Sequence, residues 1–160
     1  MGVVEMENFQ VSNGKLKFWG KWVPNFWLGA TGCAYFGLII IYKKWAEQAH
    51  SASVAALIEH EKIHIEQQRK EPFKFYFKYI FSRKWRLEYE LQAFVVQIQY
   101  LIKDSKKSVW RDVRIKELAE NFSELLSSPM YLLFYSKNKI HKEFLKRLQG
   151  LNLIYKEVKK

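Results

Sequence analysis

Hydrophobic and polar positions divide the second half of the chain into stripes of helical period. Between residues 53 and 70, Val54, Leu57, Ile58, Glu61, His64, Ile65 and Gln68 share one face of an amphipathic helix. Glu59, Lys62, Glu66, Arg69 and Lys70 gather on the opposite face, where water solvates them. Ser51 or Ser53 is the expected N-cap, with His50 a surface or capping residue. Pro72 lacks an amide proton and disfavours helical geometry at Glu71, so the helix is expected to end there. A second helix is predicted over residues 85–103, with Leu87, Leu91, Phe94, Ile98, Leu101 and Ile102 inward. A third is predicted over 109–126, with Trp110, Val113, Leu118, Phe122, Leu125 and Leu126 inward and Ser127-Ser128-Pro129 stopping it. Residues 130–135 read as a strand or a turn of helix, and 140–148 as a short helix closed by Gly150.

The first half alternates differently. Asn13-Gly14, flanked by Val11 and Leu16, is the preferred type I′ turn pair and predicts a β-hairpin over residues 8–19. Residues 22–42 carry no charge, and Lys21, Lys43, Lys44 and four aromatic residues near the ends give them the length and flanks of a bilayer span. Pro24, Asn25, Gly29, Thr31, Gly32 and Gly37 interrupt that run, and only residues 38–41 are strongly apolar. A turn followed by a buried strand is therefore expected, with membrane insertion or surface association through 22–42 as the competing expectation. Residues 73–81 place six aromatic side chains around Lys74 and Lys78. They are expected to form a hydrophobic connector over the two central helices, with the lysine stems reaching outward. No RNA- or DNA-binding motif surrounds them, so specific nucleic-acid recognition is not expected.

Two carboxylates break the apolar stripes. Glu61 sits inside the first, and burying it costs several kcal/mol unless a cation or hydrogen bonds compensate. It belongs to His60-Glu61-Lys62-Ile63-His64, an HExxH sequence in which two histidines one helical turn apart reach one metal ion. With 4 histidines and 14 glutamates in 160 residues, chance supplies this motif in roughly one such chain in a hundred. A catalytic zinc site takes three protein ligands and leaves one position open. Glu90 falls inside the second stripe, three residues after Leu87 and four before Phe94, whereas Glu88 lies with Gln92 and Gln99 on the polar side. The expected site is thus His60, His64 and Glu90 around one Zn2+, with Glu61 as general base. Tyr131, Tyr135 and Arg86 have the chemistry to stabilise an oxyanion, and spacing does not choose among them.

These residues carry a resemblance. His60 to His64 followed by Glu90-Leu91-Gln92-Ala93 resembles the gluzincin metallopeptidases, in which the HExxH helix supplies two histidine ligands and a later helix a glutamate, often within E-x-x-A. The chain is also similar to short metallopeptidase-type proteins of phages and bacteria, in which the motif continues as H-x-x-Q-Q, here His64 to Gln68, and the second motif follows an aromatic, basic loop, here residues 85–90. The resemblance spans about residues 29–100. It implies a zincin-like, mainly helical α+β fold, with a small N-terminal sheet or hairpin packed on the active-site helix, then a Glu-ligand helix and C-terminal helices. It implies a zinc-dependent peptidase acting on a peptide or protein substrate. One departure is that many gluzincins place Asp directly after the Ala, where this chain has Phe94.

Composition adds limits rather than detail. A length of 160 residues with 49% hydrophobic content suits one folded domain over 1–160. Cys33 is alone, so an intrachain disulfide is excluded. A net charge of +11 favours acidic partners or an anionic membrane surface. Residues 1–10 lack the basic-then-apolar layout of a secretory signal, which makes a cytoplasmic or virion-associated location the expectation. A non-catalytic structural or assembly protein of a virion or membrane that keeps the metal site is the alternative from another functional class.

Overall fold

The computed structural model describes residues 9–12, 15–18, 21–24, 32–35, 38–42, 47–105 and 108–154. Strands β1 (Phe9–Ser12), β2 (Lys15–Phe18), β3 (Lys21–Pro24), β4 (Gly32–Tyr35) and β5 (Leu38–Tyr42) precede α1 (Ser51–Lys70), α2 (Pro72–Phe81), α3 (Arg83–Ile102), α4 (Val109–Ser127) and α5 (Lys137–Gly150). The protein is therefore α+β and mainly helical. No helix among the described residues is long and apolar enough to cross a membrane.

Of the run over 22–42, the described residues 22–24, 32–35 and 38–42 are strands, and the expected turn before the buried strand lies outside the described residues. Ile39, Ile40 and Ile41 are buried in β5, as their β-branched character favours. Strand β5 is central, paired antiparallel with β4 and parallel with β1. Here the hairpin expected over residues 8–19 fails: β1 and β2 do not pair with each other, and the Asn13-Gly14 turn lies outside the described residues. Instead β1 adds to the apolar edge of β5, with Phe9 opposite Ile39, and the hairpin forms one strand later between β2 and β3. Strand β5 is anchored on a helix and gives β1 a supported edge to pair with, which leaves β2 to pair with β3.

Helix α1 lies on this sheet. Leu57 and Ile65 pack with Ile39 and Ile41, and Ala34, Val54 and Ile58 close the cluster. The His50 side chain accepts the amide of Ala52 at 3.3 Å and caps the helix, displacing the two serines expected there. Arg69 and Lys70 stand in the last turn, where they complement the helix dipole. On its other side α1 packs along α3, and α3, α4 and α5 bury the main core around Leu91, Ile98, Ile115, Leu126, Leu133 and Phe144.

Two helical expectations shift. Residues 73–81 form a helix with Pro72 at its first turn, because the proline that ends α1 also suits a helix start. In α4 the inward stripe is Ile115, Leu118, Ala119, Phe122 and Leu126, while Trp110 is 82% exposed and Val113 and Leu125 are also exposed. Trp110 lies in the first turn of α4. After α4 comes a 3-10 turn at Pro129–Tyr131, and Leu132 and Phe134 then take left-handed φ of 51° and 52°.

Candidate metal centre

Helix α1 places His60, Glu61 and His64 on the side shared by β4 and α3, and α3 brings Glu90 to meet them. All four side chains are buried, with relative exposures between 2% and 7%. His60 Nε2 and His64 Nε2 are 3.1 Å apart. Glu90 Oε2 lies 3.7 Å from His60 Nε2, and Glu90 Oε1 lies 3.6 Å from His64 Nε2. Zinc–ligand bonds of about 2.0–2.1 Å at tetrahedral angles separate neighbouring ligand atoms by about 3.3–3.4 Å. The two imidazole nitrogens lie slightly inside that separation, and each has a different Glu90 oxygen slightly outside it. With one ligand atom per residue the three lie within 4.8 Å of one another, so the group could hold a metal ion after a small adjustment. His60, His64 and Glu90 are the one such group of three among the described residues.

Glutamines stand behind both imidazoles. Gln67 Oε1 lies 2.9 Å from His64 Nδ1, while Gln67 Nε2 donates to Tyr89 O and Gln92 Oε1. That fixes the amide orientation, makes His64 Nδ1 the protonated nitrogen and turns Nε2 toward the other donors. Gln97 lies beside His60, and its Oε1 and His60 Nδ1 are each otherwise without a partner. A small adjustment pairs them and protonates His60 at Nδ1, leaving Nε2 as a lone-pair donor. Glu90 Oε2 likewise has no hydrogen-bond donor, so a cation-binding oxygen is left facing His60. Phe94, at the position where the gluzincin pattern has Asp, stacks edge-on against His60 with centroids 4.4 Å apart. The Phe94 ring against His60 and the Gln67 contact at His64 restrict how the two imidazoles turn.

Electrostatics separates the four groups. Burial and the neighbouring His64 push His60 down to about 3, so it is a neutral imidazole. Burial also acts against charge on His64, but the Glu90 carboxylate outweighs it and lifts His64 to about 9. Glu90 shows the converse: desolvation raises it, and His64, His60 and the Tyr79 hydroxyl together hold it below the usual carboxylate range. A proton on His64 Nε2 thus lies between two acceptors, His60 Nε2 at 3.1 Å and Glu90 Oε1 at 3.6 Å. Burial lifts Glu61 to about 7, with the Glu90 carboxylate adding to the rise and with His64 and a backbone hydrogen bond from Ala34 opposing it. A carboxyl near neutrality, flanking a cluster of donors, is suited to accept and return a proton.

Two further residues, Tyr79 and Tyr131, complete the site. Tyr79 of α2 donates its hydroxyl to Glu90 Oε1. Tyr131 is pushed well above its ordinary value by burial and by Glu90 and Glu61, so its hydroxyl stays a donor beside both carboxylates. Of the other expected oxyanion donors, Arg86 is committed to the backbone carbonyls of Tyr79, Ile80, Tyr131 and Leu132. Tyr135 packs on the main core and under the Lys139 ammonium. Glu88 stays on the polar side as expected, paired with Gln92 and Arg147. Tyr79 and Gln97 were hidden from pattern reading, although Gln97 lies seven residues after Glu90, two turns along the same helix face. No protein-family model, curated protein or solved structure matches the chain.

Proposed function

We propose that the protein is a zinc-dependent metallopeptidase of zincin-like, gluzincin type. The observation that carries the reading is the convergence of His60, His64 and Glu90 at 3.1–3.7 Å with Glu61 buried beside them. Two imidazoles and one carboxylate form the donor set of catalytic zinc. The chemistry zinc brings when bound is Lewis-acid polarisation of a carbonyl and acidification of water. Glu61 takes the proton of the attacking water and passes it to the leaving amine nitrogen. Tyr131 offers its hydroxyl to the carbonyl oxygen as charge develops there. Gln67 holds the His64 imidazole by its outer nitrogen, and Gln97 stands where it would hold that of His60. The edge of the sheet above α1 suits an extended peptide backbone.

The test is Glu61→Gln. Peptide-library digestion followed by mass spectrometry is expected to show cleavage by the zinc-loaded wild type and a loss of about 10²–10⁴-fold in the variant, which keeps its zinc. Equal cleavage by both proteins, or none by a zinc-loaded wild type, overturns the reading. Near-complete burial of all four side chains favours a second reading, a non-catalytic structural or assembly protein that uses the metal as a clamp. Under it the wild type binds zinc, cleaves nothing and is unaffected by Glu61→Gln.

A further inference from the structure

Helix α2 is aromatic on two sides, and the protein interior uses one of them. Phe75 packs on Tyr79 and Tyr89, and Phe75 and Tyr79 both face the His64 ring. Phe73, Phe77, Ile80 and Phe81, at steps of four, three and one along the helix, share the far face and are 92%, 66%, 59% and 72% exposed. The patch continues onto a second segment. Arg86 donates to the carbonyls of Tyr79 and Ile80 at the end of α2 and to those of Tyr131 and Leu132, tying the two stretches together. Arg83 lies 5.8 Å from the centre of the Phe134 ring. Leu132 and Phe134 are exposed at left-handed φ while Leu133 between them is fully buried, so this backbone displays one apolar side chain on each side of its anchor. Six large apolar side chains drawn from two tethered segments exceed the scattered exposure normal for a protein surface.

Charge identifies what covers the patch. Residues 70–86 contain Lys70, Lys74, Lys78, Arg83, Lys84 and Arg86 against one acid, Glu71, which is already paired with Lys78. Lys74 flanks the aromatic face, and Arg83 and Lys84 follow directly after it, all three exposed. A second copy of this chain would bring the same positive rim to the same place, and like charge opposes that pairing. Aromatic side chains within a cationic rim match an anionic bilayer, where rings enter the headgroup–acyl boundary and each lysine or arginine adds attraction to acidic lipid. We propose that the outer face of α2, together with Leu132 and Phe134, docks the protein on an anionic lipid membrane. This inference rests on neither the metal nor hydrolysis. It sets the candidate metal centre behind α2, about one helix diameter, ~10 Å, from the lipid surface.

Co-sedimentation of the full chain with vesicles tests it, using phosphatidylcholine alone and phosphatidylcholine with about a quarter phosphatidylglycerol. Wild type is expected to bind the anionic vesicles about tenfold or more tightly than the neutral ones. The exposed double variants Phe77→Ser/Phe81→Ser and Lys74→Glu/Lys84→Glu, shown folded by circular dichroism, are each expected to lose about tenfold or more of that binding. Failure of folded wild type to sediment with anionic vesicles overturns the proposal. So does undiminished binding by the phenylalanine variant, which would leave diffuse charge as the cause. A wild-type dimer that the phenylalanine variant dissociates, with no vesicle binding by either, assigns the face to a second copy instead.

Discussion

Replacing Gln67 with leucine separates a metal-orienting residue from an ordinary core polar group. Gln67 Oε1 sits 2.9 Å from His64 Nδ1, and its amide nitrogen is held by Tyr89 O at 3.3 Å and Gln92 Oε1 at 3.0 Å. Leucine fills similar volume and removes the acceptor, so His64 loses the group that fixes its tautomer and ring angle. Losing such an outer partner costs about 10–100-fold in metal affinity, or about 1.4–2.7 kcal/mol. The buried donor is also left unpaired whether or not an ion is present, which lowers the stability of the metal-free protein by about 1–3 kcal/mol. The two effects are measured separately: zinc affinity by competition against a chromophoric chelator, and stability by urea unfolding of the chelated protein. A variant that loses stability as expected yet binds zinc within about twofold of wild type refutes the reasoning, since His64 would then need no orientation to do its work.

Further expectations follow from the same geometry. Phe94 touches His60, Phe122 and Phe144, so Phe94→Ala is expected to cost about 3–5 kcal/mol in urea unfolding and to weaken zinc binding; a loss under about 1 kcal/mol would contradict its place in both core and site. At Gly32 an added Cβ would meet Leu57 Cδ2 at 3.2 Å, Ile40 O at 3.3 Å and Glu61 Oε1 at 3.4 Å. Gly32→Ala is therefore expected to cost about 1–3 kcal/mol with zinc content unchanged, and a neutral result would show β4 free to move off α1. Glu90 is already ionised, whereas His64, raised to about 9, carries a proton below that pH and must release it to bind metal. Apparent zinc affinity should then climb by about one decade per pH unit up to about 9 and flatten above it, with calorimetry in buffers of different ionisation enthalpy reporting about one proton released from this residue; a flat profile contradicts the assignment.

The donor set was legible because it lies on regular helices. The step of four from His60 to His64, and the position of Glu90 between Leu87 and Phe94 when Glu88 is out of phase, depend only on 3.6 residues per turn. The paths between elements were less legible. Asn13-Gly14 is a strong local turn signal, yet pairing with β5 decides where β1 goes, and that partner lies about thirty residues away in sequence. Helix α2 escaped the pattern because aromatic side chains occupy both its faces, so no single stripe emerges from residues 73–81, and Tyr79 was hidden with it. Apolar spacing in α4 suggested Trp110 and Val113 as core, but it does not reveal how far α3 and α5 extend over that face.

Metal content of the purified protein tests the central claim most directly. Wild type is expected to hold about one zinc ion per chain by elemental mass spectrometry after dialysis, and His64→Ala and Glu90→Ala are expected to hold almost none while remaining folded. Folded wild type that retains far less than one ion after incubation with excess zinc, or variants that retain as much as wild type, would contradict it.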